Sequence, residues 1–262
     1  MRRIIVITGA SSGMGECFAR QLKDEGAELF LVARRLDRLE KLSAELSENG
    51  AKAKAVQMDI SAQRGVNEFK AFIESENQKE ELEITWLVNN AGFGTYGKFA
   101  DTPLDAQLNM VDLNCTALTG LCGVCLPYMK SGGRIVNVAS LASFLPLGNF
   151  AVYGATKSFV LSFSYALAAE VKARGISVTA LCPGPVSTEF AAVASAGARK
   201  EVLHGKSAEK VVAHCIKRAR KGKKAALFAP KWKITAFMSH FIPRELGAWF
   251  TNKYCPRPRN NP

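Results

Sequence analysis

Tyr153-Gly154-Ala155-Thr156-Lys157 sets a phenol and an ammonium four residues apart. On a helix that spacing puts both side chains on one face, so they can point into the same cleft. A free tyrosine, with a pKa of ~10, holds its proton too firmly to act as a base at neutral pH, and an adjacent cation stabilises the phenolate. Lys157 is therefore expected to lower the pKa of Tyr153 and fit it to give or take a proton. Ser140, which ends Val138-Ala139-Ser140, is expected at the edge of a sheet. There its hydroxyl can hold a carbonyl oxygen and steady developing charge. Such groups suit a step in which a proton is given to or taken from a reacting oxygen.

These side chains need a scaffold. Ile4 to Ile7 is a β-branched run that stops at Thr8-Gly9-Ala10-Ser11-Ser12-Gly13-Met14-Gly15, and a helical pattern carrying Cys17, Phe18 and Leu22 follows. A strand, a glycine turn and a helix in that order let backbone approach a pyrophosphate, whose charge is favoured by the free N–H groups at a helix start. The alternation continues along the chain. Strands are expected at Leu29 to Ala33, Ala53 to Met58, Ile84 to Val88, Arg134 to Val138, Ile176 to Leu181 and Ala225 to Phe228. Helices are expected at Leu36 to Leu46, Val66 to Ile73, Leu104 to Met129 (as one helix or two), Ala151 to Ala173 and Ala208 to Ala219. Strands apolar on both faces, alternating with amphipathic helices, require a mostly parallel sheet covered on each side. The expected fold is a single-domain, doubly wound α/β Rossmann fold with a seven-stranded sheet, whose chemistry belongs to the loops after the strands. Residues 1–230 would be the nucleotide-binding and catalytic domain, and 231–262 a basic, aromatic extension of it.

The T-G-x-x-x-G-x-G spacing of the glycine loop resembles that of the short-chain dehydrogenase/reductase family, and the resemblance runs through nearly the whole chain. Asp59, in Met58-Asp59-Ile60, is similar to the family's adenine-contacting aspartate. Asn90-Ala91-Gly92 resembles its Asn-Ala-Gly motif, which supports the sheet and lies along the cofactor. Pro183-Gly184-Pro185-Val186, with Thr188, resembles the Pro-Gly motif that holds the nicotinamide carboxamide. Asn114, in Val111-Asp112-Leu113-Asn114, resembles the asparagine that holds a water in a relay with the lysine. The resemblance thus implies a catalytic set of Asn114, Ser140, Tyr153 and Lys157, with Lys157 also on the nicotinamide ribose. It implies a homodimer or homotetramer through the two long helices that carry Asn114 and Tyr153.

A carboxylate at the end of the second strand would accept the 2′-hydroxyl of NAD and repel the 2′-phosphate of NADP. Ala33-Arg34-Arg35 stands there instead. The planar fork of a guanidinium suits phosphate, so NADP(H) is the expected cofactor, with Arg34 the leading ligand, Arg35 beside it and Ser11 a second contact. Around the reaction centre the loops are apolar: Phe93 and Tyr96, then Leu141, Phe144, Leu145, Pro146 and Leu147, then Phe190. No arginine or carboxylate in them is aimed at a substrate, so an apolar acyl, steroid-like or aromatic carbonyl or alcohol is expected. The alternative is an NADP-binding regulator with little turnover. Loss of the reactive tyrosine would mark it, and Tyr153 and Lys157 are both present.

At 262 residues with 48% hydrophobic and 22% charged content, the composition is that of an ordinary globular chain without repeats or low-complexity tracts. The apolar start breaks off at Thr8-Gly9, too short for an export signal, and a cytoplasmic location is expected. Seven cysteines, an odd number, read as reduced thiols. Cys122 and Cys125 have redox or metal spacing but no second pair and no nearby histidine, so they read as small buried hydrophobes and no metal is expected. The net charge of +12 is uneven: residues 1–196 hold 19 Lys+Arg and 20 Asp+Glu, and residues 197–262 hold 16 and 3. The run from Lys217 to Lys224 precedes Trp232, Phe237, Phe241, Ile242, Leu246, Trp249 and Phe250, interleaved with Lys231, Lys233 and Arg244. Such a stretch can lie on an anionic membrane surface, meet an acidic protein, or pack on the body or a second subunit. No nucleic-acid recognition module is visible, so no nucleic acid is expected.

Overall fold

The two central strands are β1 (Arg2–Thr8) and its neighbour Leu82–Asn89, whose Ile4, Ile5, Val6, Ile7, Ile84, Trp86, Leu87 and Val88 are all fully buried. Strands apolar on both faces must be covered by helices on both sides. The computed structural model describes every residue except Glu201, Leu203, Asn261 and Pro262. The further strands are β2 (Glu28–Ala33), β3 (Ala53–Gln57), β4 (Leu82–Asn89), β5 (Arg134–Val138), β6 (Ser177–Leu181) and β7 (Ala225–Ala226). They form one sheet in the order β3-β2-β1-β4-β5-β6-β7, with every neighbouring pair parallel. The direction of winding reverses between β1 and β4, which opens a crevice beyond the carboxyl ends of the strands. The last strand is shorter than the apolar run from Ala225 to Phe228, because only Ala225 and Ala226 reach a partner on β6.

The helices are α1 (Gly13–Leu22), α2 (Leu36–Glu48), α3 (Ala62–Lys79), α4 (Leu104–Val111), α5 (Leu118–Cys125), α6 (Ala151–Glu170), α7 (Phe190–Ala194), α8 (Ala208–Arg220), α9 (Pro230–Met238) and α10 (Arg244–Tyr254). Phe18, Leu22, Leu39, Leu42, Val211 and Cys215 of α1, α2 and α8 cover one face of the sheet. Val66, Phe69, Ile73, Leu121, Cys125 and Leu167 of α3, α5 and α6 cover the other. Cys122 and Cys125 are buried in that second layer. The segment Leu104–Tyr128 is one continuous helical path in which a π-turn (Asp112–Ala117) joins α4 to α5. By length and composition alone, with mean hydropathy 1.3, it is a helix able to cross a membrane; here it packs on α3 and α6.

Beyond residue 230 the chain folds back on the body. Trp232 of α9 joins the core, and its indole fills the space a side chain would take at Gly184. Ile234, Phe237, Phe241, Leu246, Trp249 and Phe250 stay exposed.

At the amino end of the strands, the buried Glu76 of α3 accepts from Arg2 at 2.9 Å, Lys54 at 2.9 Å and Lys79 at 2.7 Å. Burial works to raise its pKa, but three cationic donors outweigh that and hold it at about 2.

Candidate active site

The glycine loop owes its shape to residues without side chains. Gly9 and Gly13 hold φ of +64° and +57°, and a Cβ on Gly15 would collide with the Gly9 carbonyl. Ser12, extended, precedes α1 without capping it through its side chain, so the first-turn N–H groups of Gly13 and Met14 are available to an anion. Asn90 braces the turn, its amide donating to the carbonyls of Thr8 (3.0 Å) and Gly9 (3.3 Å). The backbone N–H groups of Asn90 and Ala91 both donate to the Thr8 hydroxyl at 3.0 Å. The loop therefore has the shape of a phosphate cradle, and a Cβ at its tightest point would fill it.

At the end of β2 the two arginines part. Arg35 donates from Nε to the Ser11 hydroxyl at 3.2 Å and pairs with Glu189 at 3.0 Å. Arg38 pairs with the same carboxylate at 2.7 Å. Arg34 is exposed, and its charge acts on Asp59. Burial tends to raise the Asp59 pKa, yet hydrogen bonds from Ser61 and the charges of Arg34 and Arg64 hold it below the usual range. Ile60 is buried beside it. Arg35, not Arg34, is thus the arginine that reaches the glycine loop, because α2 begins at Leu36 and turns the Arg35 side chain toward Ser11.

Tyr153 and Lys157 lie in the first two turns of α6 and both are buried. Phe150 stacks on the Tyr153 ring at 4.1 Å, Phe190 tilts against it at 5.5 Å, and Tyr96 meets Phe150 at 4.8 Å. A Cβ on Gly94 would strike Tyr153. Lys157 donates from Nζ to the Val138 carbonyl at 2.7 Å, and its Nζ is 5.7 Å from the Tyr153 ring centroid. Burial pushes the Tyr153 pKa up to about 12, against a lowering by Ser140 and by Arg257. Burial likewise brings Lys157 down to about 8. The sequence expectation that Lys157 lowers the phenol's pKa is not what this geometry produces: the ammonium is held by Val138, and desolvation dominates both groups.

Asn114 sits in the π-turn, where the widened helix points its side chain inward. Its Nδ2 donates to the Phe93 carbonyl (2.9 Å) and the Thr156 hydroxyl (3.1 Å), while its Oδ1 accepts from the Phe93 N–H (3.1 Å). It joins the loop after β4 to α6, and a Cβ at position 92 would press on the Asn114 Oδ1 beside Lys157. Ser140, at the carboxyl edge of β5, accepts from the Ala142 N–H at 3.1 Å and turns its own hydroxyl proton to the Pro183 carbonyl across a long 3.5 Å. Across the cleft, the Pro183 carbonyl accepts from the Leu141 N–H at 2.8 Å, and the Thr188 side chain abuts Gly13. Val186 bridges to Lys206.

The crevice thus gathers a phosphate cradle, a buried phenol and a buried ammonium at the switch point of one sheet. The sequence profile of the short chain dehydrogenase family matches residues 3–199. The chain belongs to that family of oxidoreductases. It is 35% identical over 201 residues to sulfoacetaldehyde reductase 2 of Chromohalobacter salexigens, covering 75% of this chain and 78% of the relative. It is 36% identical over 200 residues to serine 3-dehydrogenase of Rhizobium radiobacter, covering 75% and 77%. In structure it is similar to a short-chain dehydrogenase from Sphingobium yanoikuyae in complex with NADPH, with TM-score 0.78 and 28% identity over 92% of this chain and 94% of the other.

In this short-chain dehydrogenase several site residues escaped sequence reasoning. Ser143 donates to the Lys157 carbonyl at 2.7 Å and so ties the end of β5 to α6, a spacing of 14 residues that no local pattern reports. Arg38 lies in the first turn of α2, three residues beyond Arg35. Glu189 and Phe150 gave no signal, since each becomes a neighbour only when the loops converge.

Proposed function

We propose that the chain is an NADP(H)-dependent oxidoreductase that interconverts a carbonyl and a primary or secondary alcohol on a substrate with an apolar body. The observation that carries this reading is the buried Tyr153 phenol, set beside Ser140 and Lys157 at the mouth of the phosphate cradle. Gly9, Ser11, Ser12, Gly13, Met14 and Gly15 would hold the pyrophosphate, and Asp59 with Ile60 the adenine side. Asn90, Ala91 and Gly92 would line the middle, and Pro183, Gly184, Val186 and Thr188 the nicotinamide end. Bound there, the nicotinamide would supply or accept the hydride. With its pKa at about 12, Tyr153 carries its proton at neutral pH, the state in which it can give that proton to a carbonyl oxygen. Ser140 donates its hydroxyl proton to the same oxygen, and Lys157 supplies a positive field at the inner end of the cleft. Phe93, Tyr96, Leu147, Phe150 and Phe190 form the apolar wall.

Support for NADP over NAD comes from Ala33-Arg34-Arg35 at the end of β2, which lacks the acidic residue that would accept a 2′-hydroxyl, and from Arg38 in the first turn of α2, although Glu189 already pairs with Arg35 and Arg38. The relatives' names, a reductase and a dehydrogenase, support carbonyl–alcohol chemistry here. A pairing of chains through α4 and α6 is supported by the exposed Leu104, Leu108, Val111, Phe159 and Tyr165. The test is loss of the reduced-nicotinamide absorbance with a panel of aldehydes and ketones. NADPH should be preferred to NADH by about tenfold or more, the worth of one charge-assisted contact, and Arg35→Ala should erase the preference. Equal use of the two cofactors would sink the NADP reading, and no oxidation of either would sink the enzyme.

A further inference from the structure

After α10 the chain runs Cys255-Pro256-Arg257-Pro258-Arg259-Asn260, an extended stretch in which two prolines fix φ. It straps the mouth of the cleft. Arg257 donates to the Gly148 carbonyl at 2.9 Å, on the loop before α6. Asn260 donates to the Ser195 carbonyl at 3.0 Å, at the end of α7, and Arg199 donates to the Pro256 carbonyl at 3.3 Å.

The strap carries Arg257 to the aromatic wall of the site and Arg259 toward Gly97, and the segment after α7 adds Arg199. Arg257 lies 5.0 Å over the Phe150 ring, whose neighbour at 4.1 Å is Tyr153 itself. Arg199 lies 5.8 Å over Tyr96, which packs on Phe150. Arg259 has its Nε buried without a hydrogen-bond partner. Among the described residues every ion pair lies elsewhere, and none includes these three arginines. Arg257 also lines a cavity of about 340 Å³ with Lys98, Asn149 and Asn252. Burying the Arg257 guanidinium is costly unless an anion compensates it, and the nearby exposed Arg199 repels it. Burial and the charge of Arg199 both lower the Arg257 pKa, and its charge in turn lowers that of Tyr153. Among the described residues no carboxylate offsets the charge of this patch.

We propose that Arg257, together with Arg199 and Arg259, binds a carboxylate, sulfonate or phosphate carried by the carbonyl substrate, at the end away from the carbon that meets Tyr153. The proposal rests on the oxidoreductase reading of Tyr153 and narrows its substrate class to an apolar body with one anionic end. Arginine suits the task because its planar fork meets such oxygens in pairs while its face stays on the ring. The sequence expectation that no arginine meets the substrate considered only the loops after the strands, and Arg257 arrives from outside them.

The test uses the full chain with NADPH and oxo-acids matched in length to their methyl esters. The parent should favour acid over ester in kcat/KM by about thirtyfold, as for a charge-assisted hydrogen bond. Arg257→Met should bring that ratio near unity, chiefly through KM, and Arg257→Lys should restore part of it. An unchanged ratio in Arg257→Met overturns the proposal. Calorimetric titration with a short alkylsulfonate and its neutral amide needs no turnover. The parent should bind the sulfonate about tenfold tighter than Arg257→Met does, and equal binding overturns the site. Arg257-dependent anion binding without reduction of any carbonyl would keep the anion site and sink the oxidoreductase reading.

Discussion

The two ends of the sheet treat buried charge in opposite ways. At the amino end, Glu76 is surrounded by Arg2, Lys54 and Lys79, and its carboxylate is more stable inside the protein than in water. At the carboxyl end, Lys157 and Tyr153 are as deeply buried, yet Lys157 has only a backbone carbonyl as its polar partner, and both charged forms are disfavoured. The first arrangement stabilises the fold. The second costs stability and leaves two buried ionisable groups without a partner charge from the chain, so the two ends differ in whether that charge is supplied.

The largest effect that would break this contrast is at the phenol. Tyr153→Phe keeps the ring stack on Phe150 but removes the proton, and kcat should fall by about 10²–10⁴, as for loss of a general acid. Steady-state turnover with NADPH that survived this change would remove Tyr153 from the chemistry.

The next test is at the opposite end. Glu76→Gln leaves three cations around a neutral amide, and unfolding free energy from urea titration should drop by about 3 kcal/mol. Turnover per folded molecule should stay within about twofold, since Glu76 is remote from the cleft. The pH dependence has a definite sign. The folded pKa of about 2 lies below the ordinary 4.5, so this stability is complete above pH 4.5 and is lost as pH falls through 2. Glu76→Gln should flatten the acid limb of the stability curve; an identical limb in parent and variant would show that Glu76 does not drive it.

The smallest expected effect sharpens the contrast most. Lys157→Met removes a costly buried ammonium, and stability at pH 7 should stay within about 1 kcal/mol of the parent or exceed it, although activity is lost. Because the folded pKa of Lys157 is depressed to about 8 from 10.5, the parent should gain stability as pH rises between those values, and the variant should lack that gain. A loss of several kcal/mol in Lys157→Met would mean that the ammonium supports the fold as Glu76 does.

The sequence by itself determined the strand order of events: β-branched runs, glycine turns and helical periodicity are local, and each motif follows its strand where the spacing put it. It also determined the contents of the cleft, since Asn114, Ser140, Tyr153 and Lys157 all lie at strand ends or on the helices beside them. The contact of Arg35 with Ser11, the bond of Lys157 to Val138, and the closing of Glu189 onto Arg35 and Arg38 belong to tertiary structure. So does the strap that carries Arg257 to Phe150, separated from it by more than a hundred residues. Which side chains share a face is a matter of helical and strand period. Which charges meet, and how far water is excluded from them, depends on loops far apart in the chain, and the pKa values of Tyr153 and Lys157 follow from that exclusion.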